Sequence, residues 1–156
     1  MRGYLLDTNH VDPLFRKEPV IMARFNAVPQ DQQIRLSTIT LGEIEAGNLL
    51  ADPPDAQRQD DLNRFLNDYF ISTALCVEVA TRIDYAVLLA RIIEKHPRPS
   101  HSKKMRQHLY DLAVDINDLW IVSIAREHGL TVCTEDGMAV IRAAAYDVAF
   151  DNWLIP

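Results

Sequence analysis

The sequence predicts an α/β fold in which a mainly parallel sheet is covered by helices on both faces. Short apolar runs alternate with amphipathic segments along the whole chain, a pattern typical of parallel strands joined by crossover helices. The first apolar run, Tyr4-Leu5-Leu6, ends abruptly at Asp7-Thr8-Asn9. We expect residues 1–156 to form a single domain, since the length fits one domain.

Four segments are predicted to be strands, each of them short. Residues 3–6 and 130–133 are compact apolar runs, and residues 34–37 alternate apolar and polar side chains. Residues 146–150 are expected to form a last strand at an edge of the sheet.

The segments between the strands are predicted to be helical. Thr40 and Glu43 have the spacing of a capping box, so a helix is expected to begin there. Asn117 is the predicted cap of a helix that ends at Gly129. The other predicted helices cover residues 11–28 (in two pieces), residues 79–96 and a short stretch to about residue 145. A further helix is expected to have its first turn at the two prolines of residues 52–61 and to continue through residues 62–69.

Composition limits the possible functions. The net charge of −6 and the pI of about 5.3 argue against a protein whose entire surface binds nucleic acid, but not against a nuclease. Cys76 and Cys133 lack disulfide or zinc-site spacing and are expected to be buried free thiols. With no apolar run of about 20 residues and no signal-peptide pattern, we expect a cytoplasmic protein without a membrane segment.

Four acids occur at equivalent places in the predicted fold. Asp7 and Asp136 follow strands, while Glu43 and Asp118 are expected in the first turns of helices. Because ligands of parallel sheets bind outside the carboxyl ends of the strands, the fold can bring these four side chains together at one edge.

Each acid also has a purely structural explanation. Asp7 and Asp136 could cap the helices that follow them, and Glu43 could serve only the capping box. Asp118 could complement a helix dipole, which stabilises by about 0.3–1 kcal/mol. Taken together, however, four crowded carboxylates repel one another unless a cation neutralises them, and Mg²⁺ prefers oxygen ligands of this kind.

Three segments, LLDTN, STITLGEIEAG and NDLWIVSIAREHGLTVCTED, together resemble the PIN-domain family, and within it the VapC-type toxins of type II toxin–antitoxin pairs. The resemblance spans nearly the whole chain in the right order. It implies a three-layer α/β/α sandwich and Mg²⁺-dependent endoribonuclease activity, with Mn²⁺ as an alternative cofactor. It also implies products that carry a 5′-phosphate and a 3′-hydroxyl.

By motif position, the resemblance implies a catalytic quartet of Asp7, Glu43, Asp118 and Asp136. Asp7, Asp118 and Asp136 would hold one or two metal ions, and Glu43 would orient the attacking water or a second ion. The implied supporting residues near the metal are Thr8 or Asn9, and Thr134. Asp115 is a further supporting candidate, because it lies three residues before Asp118.

The chain departs from the family pattern at two places. An aspartate and an aromatic residue often follow T-x-D in the family, whereas this chain continues Gly137-Met138, so Asp136 has to supply the fourth acid. The segment before Asp118 is longer and more basic than the family pattern. Asp115 could share the face of Asp118 or replace it, and we favour Asp118 because it lies within the N-D-L-W-I match.

Residues 98–108 include several cations and no acid. Arg98, Lys103, Lys104 and Arg106 are therefore candidate RNA contacts, because phosphate binding requires positive charge. The alternative is a solvated loop. Through the resemblance, we also expect a small antitoxin and a second copy of the chain as partners.

Other classes of function are also compatible with an aspartate after the first strand. Haloacid-dehalogenase-type phosphatases need a second aspartate two residues after the first, and Asn9 at that position counts against them. Receiver domains need a lysine after the last main strand, and Thr134-Glu135-Asp136 at that place offers none. A PIN fold that binds RNA or a protein without cleavage is the remaining alternative.

Overall fold

The computed structural model describes residues 3–99 and 104–156, which form a parallel sheet flanked by helices. The strands are β1 (Tyr4–Leu6), β2 (Ile34–Arg35), β3 (Thr131–Cys133) and β4 (Phe150–Asp151), in the spatial order β2-β1-β3-β4. Every pairing is parallel. The predicted three-layer α/β/α fold with a parallel sheet is confirmed.

The helices connect the strands as parallel pairing requires. They are α1 (Thr8–Phe15), α2 (Pro19–Ala27), α3 (Thr38–Leu49), α4 (Ala56–Tyr69), α5 (Thr81–Lys95), α6 (Met105–Asp111), α7 (Ile116–His128) and α8 (Ala139–Ala144). A short 3₁₀ helix covers Ile71–Thr73. Within the described ranges, no helix is both long and apolar enough to cross a membrane.

Alternating side chains of the central strands supply two separate cores. Leu5 of β1 and Val132 of β3 are buried in the core that includes residues of α5, α7 and α8. Their neighbours Leu6 and Cys133 face the opposite side, where α1, α2 and α4 contribute the apolar side chains. This two-residue period places successive side chains on opposite faces of the sheet.

Two glycines permit the backbone geometry of the sheet and its connections. A Cβ at Gly3 would lie 2.3 Å from the carbonyl oxygen of Gln33, so β1 and the chain before β2 can approach only because this residue has no side chain. Gly129 ends α7 in the left-handed region, at φ 64°, where glycine is favoured.

Three local predictions are wrong. Ser37, not Thr40, caps α3, because the Ser37 hydroxyl accepts a hydrogen bond from the Thr40 amide. Glu43 therefore lies beyond the first turn and is not a capping-box partner. Asp115, not Asn117, caps α7. Cys76 is exposed, and only Cys133 is buried as expected.

Candidate functional site

The carboxyl ends of β1 and β3 open into an acidic cleft of about 480 Å³. A backbone hydrogen bond of 2.9 Å from Asp7 to Cys133 holds the two strand ends together. The residues that line the cleft are Asp7, Thr8, Asn9, Glu43, Asp115, Asp118 and Asp136. All four acids of the predicted quartet thus line a single cleft, and none of the described residues that line it is a lysine or an arginine.

Asp7 lies at the floor of the cleft and is only 3% exposed. Its Oδ1 accepts a hydrogen bond of 2.8 Å from the Thr8 amide, and its Oδ2 accepts one of 2.7 Å from the Thr134 hydroxyl. Burial raises the pKa of the Asp7 carboxyl above its ordinary value, while the bonds from Thr134 and Thr8 oppose that rise. Asp7 also caps α1, so it is both a helix cap and a cleft carboxylate.

Asp118 lies in the first turn of α7, as predicted. Burial, followed by the negative charges of the other four cleft carboxylates, raises its pKa to about 7. Among the described residues, no side chain or amide donates a hydrogen bond to this carboxylate. A nearby cation would therefore stabilise the ionised form of Asp118, which burial and the neighbouring carboxylates destabilise.

Glu43 is held in the lining of the cleft by two polar side chains. The Thr8 hydroxyl donates a hydrogen bond to Oε2, and the Asn117 amide donates one of 2.7 Å to Oε1. Both carboxylate oxygens of Glu43 are thus oriented by neighbours from other elements.

The loop after β3 brings Asp136 to the cleft. The buried Thr134 hydroxyl accepts a hydrogen bond of 3.0 Å from the Asp136 amide while it donates to Asp7. Asn9 donates a bond of 3.0 Å to Oδ2 of Asp136. Thr134 therefore stands behind the cleft as a support for Asp7 and the loop, whereas Asn9 lies in the lining.

Asp115 lies at the exposed rim of the cleft. As the cap of α7, its carboxylate accepts a hydrogen bond of 2.7 Å from the backbone amide of Asn117. Its charge also contributes to the raised pKa of Asp118. The structure thus places Asp115 beside Asp118, with a structural role of its own.

Two residues of this region were missed by the sequence analysis as site components. Asn117 binds Glu43, and the fully buried His10 binds Asn9. Burial lowers the pKa of His10 to about 4. Position 10 follows the DTN motif directly, and this adjacency was the one available signal.

The predicted RNA contacts that the structure describes are not among the residues that line the acidic cleft. Lys104 and Arg106 are exposed at the start of α6, where they line a separate depression of about 220 Å³ with Gln107 and Tyr110. Arg98 is half-buried and engaged in interactions of its own. Lys103 lies outside the described residues.

The oxygen ligands that the cleft offers fit a hard divalent cation, because they are carboxylate and hydroxyl oxygens. In residues 3–99 and 104–156, no three histidine, cysteine, aspartate or glutamate side chains already converge as a closed metal site. The fit instead follows from the chemistry of the lining and from the strongly raised pKa of Asp118, which a nearby cation would reverse.

Comparison with known proteins identifies one informative sequence relative. The chain is 32% identical over 143 residues to the plasmid stability protein StbB of Pseudomonas syringae pv. tomato, covering 85% of this chain and 86% of the relative. No protein-family model matches the chain.

Solved structures share the fold. A chain of VapBC-1 from nontypeable Haemophilus influenzae superposes with a TM-score of 0.71 at 20% identity, covering 99% of this chain and 100% of that one. A chain of FitAcB from Neisseria gonorrhoeae gives a TM-score of 0.69 at 23% identity, with 98% and 99% covered. VapBC-5 of Mycobacterium tuberculosis, described as a member of the VapBC family of toxin–antitoxin systems, gives 0.52 at 22% identity, with 97% and 98% covered.

The order of strands, the acidic cleft at their carboxyl ends and the likeness to StbB agree with one another. The chain is a relative of the plasmid stability protein StbB and belongs to the PIN-domain family of VapC-type proteins.

Proposed function

We propose that this protein is a metal-dependent endoribonuclease that acts as the toxin of a toxin–antitoxin pair. The observation that carries the proposal is the meeting of Asp7, Glu43, Asp118 and Asp136 in one open cleft, where no residue of ranges 3–99 and 104–156 adds a basic side chain to the lining. Such crowding is unfavourable for the folded chain alone, and a cation-dependent activity accounts for it.

In this proposal Asp7, Asp118 and Asp136 hold Mg²⁺, with Mn²⁺ as a substitute. When bound, the cation would neutralise charge on the scissile phosphodiester and promote ionisation of the attacking water. The chain contributes the positions of its carboxylates: Asp7 is fixed by Thr8 and Thr134, and Asp136 by Asn9.

Glu43 is assigned the orientation of the attacking water. Thr8 and Asn117 each occupy one of its oxygens, but a carboxylate oxygen has a second lone pair that can accept a hydrogen bond from water. Glu43 is thus a fixed acceptor for the attacking water, and it has no role as a helix cap.

The biological setting is proposed from the relatives. StbB is named a plasmid stability protein, and VapBC-5 is described as a toxin–antitoxin system. We propose a small antitoxin as a protein partner, a homodimer as the assembled form, RNA as the substrate and the cytoplasm as the place of action.

RNA cleavage by the purified protein tests the proposal. A labelled structured RNA is incubated with Mg²⁺, Mn²⁺ or EDTA, and Asp7→Asn is compared with Glu135→Gln. Glu135 is exposed next to Asp136 but does not line the cleft, so its variant is a control for charge. We expect metal-dependent cleavage that Asp7→Asn abolishes and Glu135→Gln retains.

Full activity of a folded Asp7→Asn variant, or cleavage that persists in EDTA, would contradict the assignment. Binding of Mg²⁺ and RNA without cleavage of any of several RNAs would favour a non-catalytic PIN fold.

A further inference from the structure

The buried ring of His10 connects the acidic cleft to the end of the chain. Its Nδ1 lies 2.6 Å from Oδ1 of Asn9, and its Nε2 lies 3.0 Å from the backbone nitrogen of Trp153. The ring is 0% exposed. Neither contact is explained by the roles already given to the cleft residues.

The contact with Trp153 determines which ring nitrogen carries the proton. A backbone N–H can only donate, so Nε2 of His10 must be the acceptor and has no hydrogen. In the neutral ring the hydrogen is then on Nδ1, which donates to Oδ1 of Asn9. The backbone N–H of Trp153 thus selects one tautomer of His10.

That tautomer in turn selects one of the two orientations of the Asn9 amide. Oδ1 of Asn9 receives the hydrogen of His10, and the Glu135 amide donates a second hydrogen bond of 3.3 Å to the same oxygen. The NH₂ group therefore points to the cleft, where it lies 3.0 Å from Oδ2 of Asp136 and 3.4 Å from Oδ2 of Asp7. The opposite orientation would place an oxygen against two carboxylates.

We propose that His10 is a positioning residue, which fixes the Asn9 amide with its donors toward Asp136 and Asp7 and so sets the position of these carboxylates for a cation. The effect on the cation rests on the proposed function, whereas the orientation of Asn9 does not. His10 itself does not line the cleft.

Two substitutions of His10 separate its two hydrogen bonds. Asparagine can place an NH₂ donor near the position of Nδ1 and loses the acceptor for Trp153. Glutamine can place an acceptor near the position of Nε2 and loses the donor to Asn9. Each variant removes one hydrogen bond from the same buried site. If the role of His10 were purely structural, both variants would therefore change the exchange of the Asn9 amide protons and the affinity for Mn²⁺ to a similar extent.

The orientation is tested first on the metal-free protein. Nitrogen-15 spectra of the histidine rings at pH 7, with the His10 signal identified by its absence in His10→Asn, should show a proton on Nδ1 and none on Nε2. The side-chain amide protons of Asn9 should exchange slowly in the wild type and in His10→Asn, and faster in His10→Gln. A proton on Nε2, or equal exchange in both variants, would overturn the proposal.

A calorimetric titration with Mn²⁺ measures how the orientation of Asn9 affects the affinity of the cleft for a cation. We expect His10→Gln to weaken Mn²⁺ binding by about 10- to 100-fold, the usual loss when a residue that supports metal ligands is removed, and His10→Asn to stay close to wild type. Equal weakening in both variants would contradict the positioning role. If the wild type bound no Mn²⁺, the proposed function would fail, and the nitrogen-15 and exchange results would still decide the orientation of Asn9.

Discussion

The hydroxyl of Thr134 donates a hydrogen bond of 2.7 Å to Oδ2 of Asp7, across 127 positions of sequence. This bond joins the residue after β3 to the residue after β1 at the floor of the acidic cleft. Both side chains are buried, so water cannot replace the bond if it is removed.

We predict that Thr134→Val destabilises the protein by about 1–3 kcal/mol, because a buried carboxylate loses a donor. Thr134→Ser keeps the hydroxyl and should retain most of the stability. Urea unfolding in EDTA measures both free energies. A Val variant as stable as wild type would show that the bond contributes nothing to the fold.

Asp118 provides a prediction on pH. Its pKa of about 7 in the folded protein lies above the ordinary value of 3.8, so the folded state binds more protons than the unfolded state between these values. The contribution of Asp118 to stability is therefore fully present below pH 3.8 and is lost as the pH rises through about 7.

Asp118→Asn should consequently stabilise the metal-free protein at pH 8, by about 0.5–2 kcal/mol, as replacements at functional sites often do. The gain should be much smaller at pH 5. Urea unfolding in EDTA at the two pH values is the measurement, with Glu135→Gln as the control for loss of one charge. A variant less stable than wild type at pH 8 would contradict the crowding of charge around Asp118.

Substitution by alanine is predicted to have opposite effects on stability at two glycines, one in a close backbone contact and one in an open helical position. Gly3→Ala should destabilise by about 1–3 kcal/mol or more, since its Cβ would meet the backbone of Gln33. Gly42→Ala, within α3 and with open space around its Cβ, should stabilise by about 0.5–1 kcal/mol. Thermal unfolding compares them, and a neutral Gly3→Ala would refute the close approach.

The exposed cations of α6 give a prediction on RNA affinity. Lys104→Ala with Arg106→Ala should weaken RNA binding and lower the salt dependence by about 0.7 in the logarithmic slope for each phosphate that is no longer bound. Lys17→Ala with Arg82→Ala removes the same charge from other exposed positions and serves as the control. Binding should be measured at several salt concentrations, and equal weakening in the two double variants would remove α6 as an RNA-binding element.

The sequence was sufficient to predict the parallel sheet and the elements around the site. Apolar runs that end in Asp7 and Thr134 show where the strands stop, and the topology then determines which ends meet. The local starts of α3 and α7 were misplaced because neighbouring polar residues compete for the cap. Ser37 and Asp115 are the caps because their backbone is extended directly before the first helical turn. The spacing of residues in the sequence does not determine which polar residue takes this conformation.

The support of the site was less accessible to prediction from sequence. His10 meets Trp153 across 143 positions, and Asn117 meets Glu43 across 74. No local pattern encodes such pairs, because they depend on how the elements pack. The sequence thus indicated the carboxylates, whereas the side chains that orient them emerged only from the fold.

The most direct test of the metal-dependent account is a calorimetric titration of Mg²⁺ and Mn²⁺ into wild type, Asp118→Asn and Glu135→Gln at pH 7. The account predicts saturable binding to the wild type and to Glu135→Gln, and its loss in a folded Asp118→Asn. Absence of binding to the wild type, or unchanged binding in Asp118→Asn, would contradict the claim that this cleft exists to hold a cation.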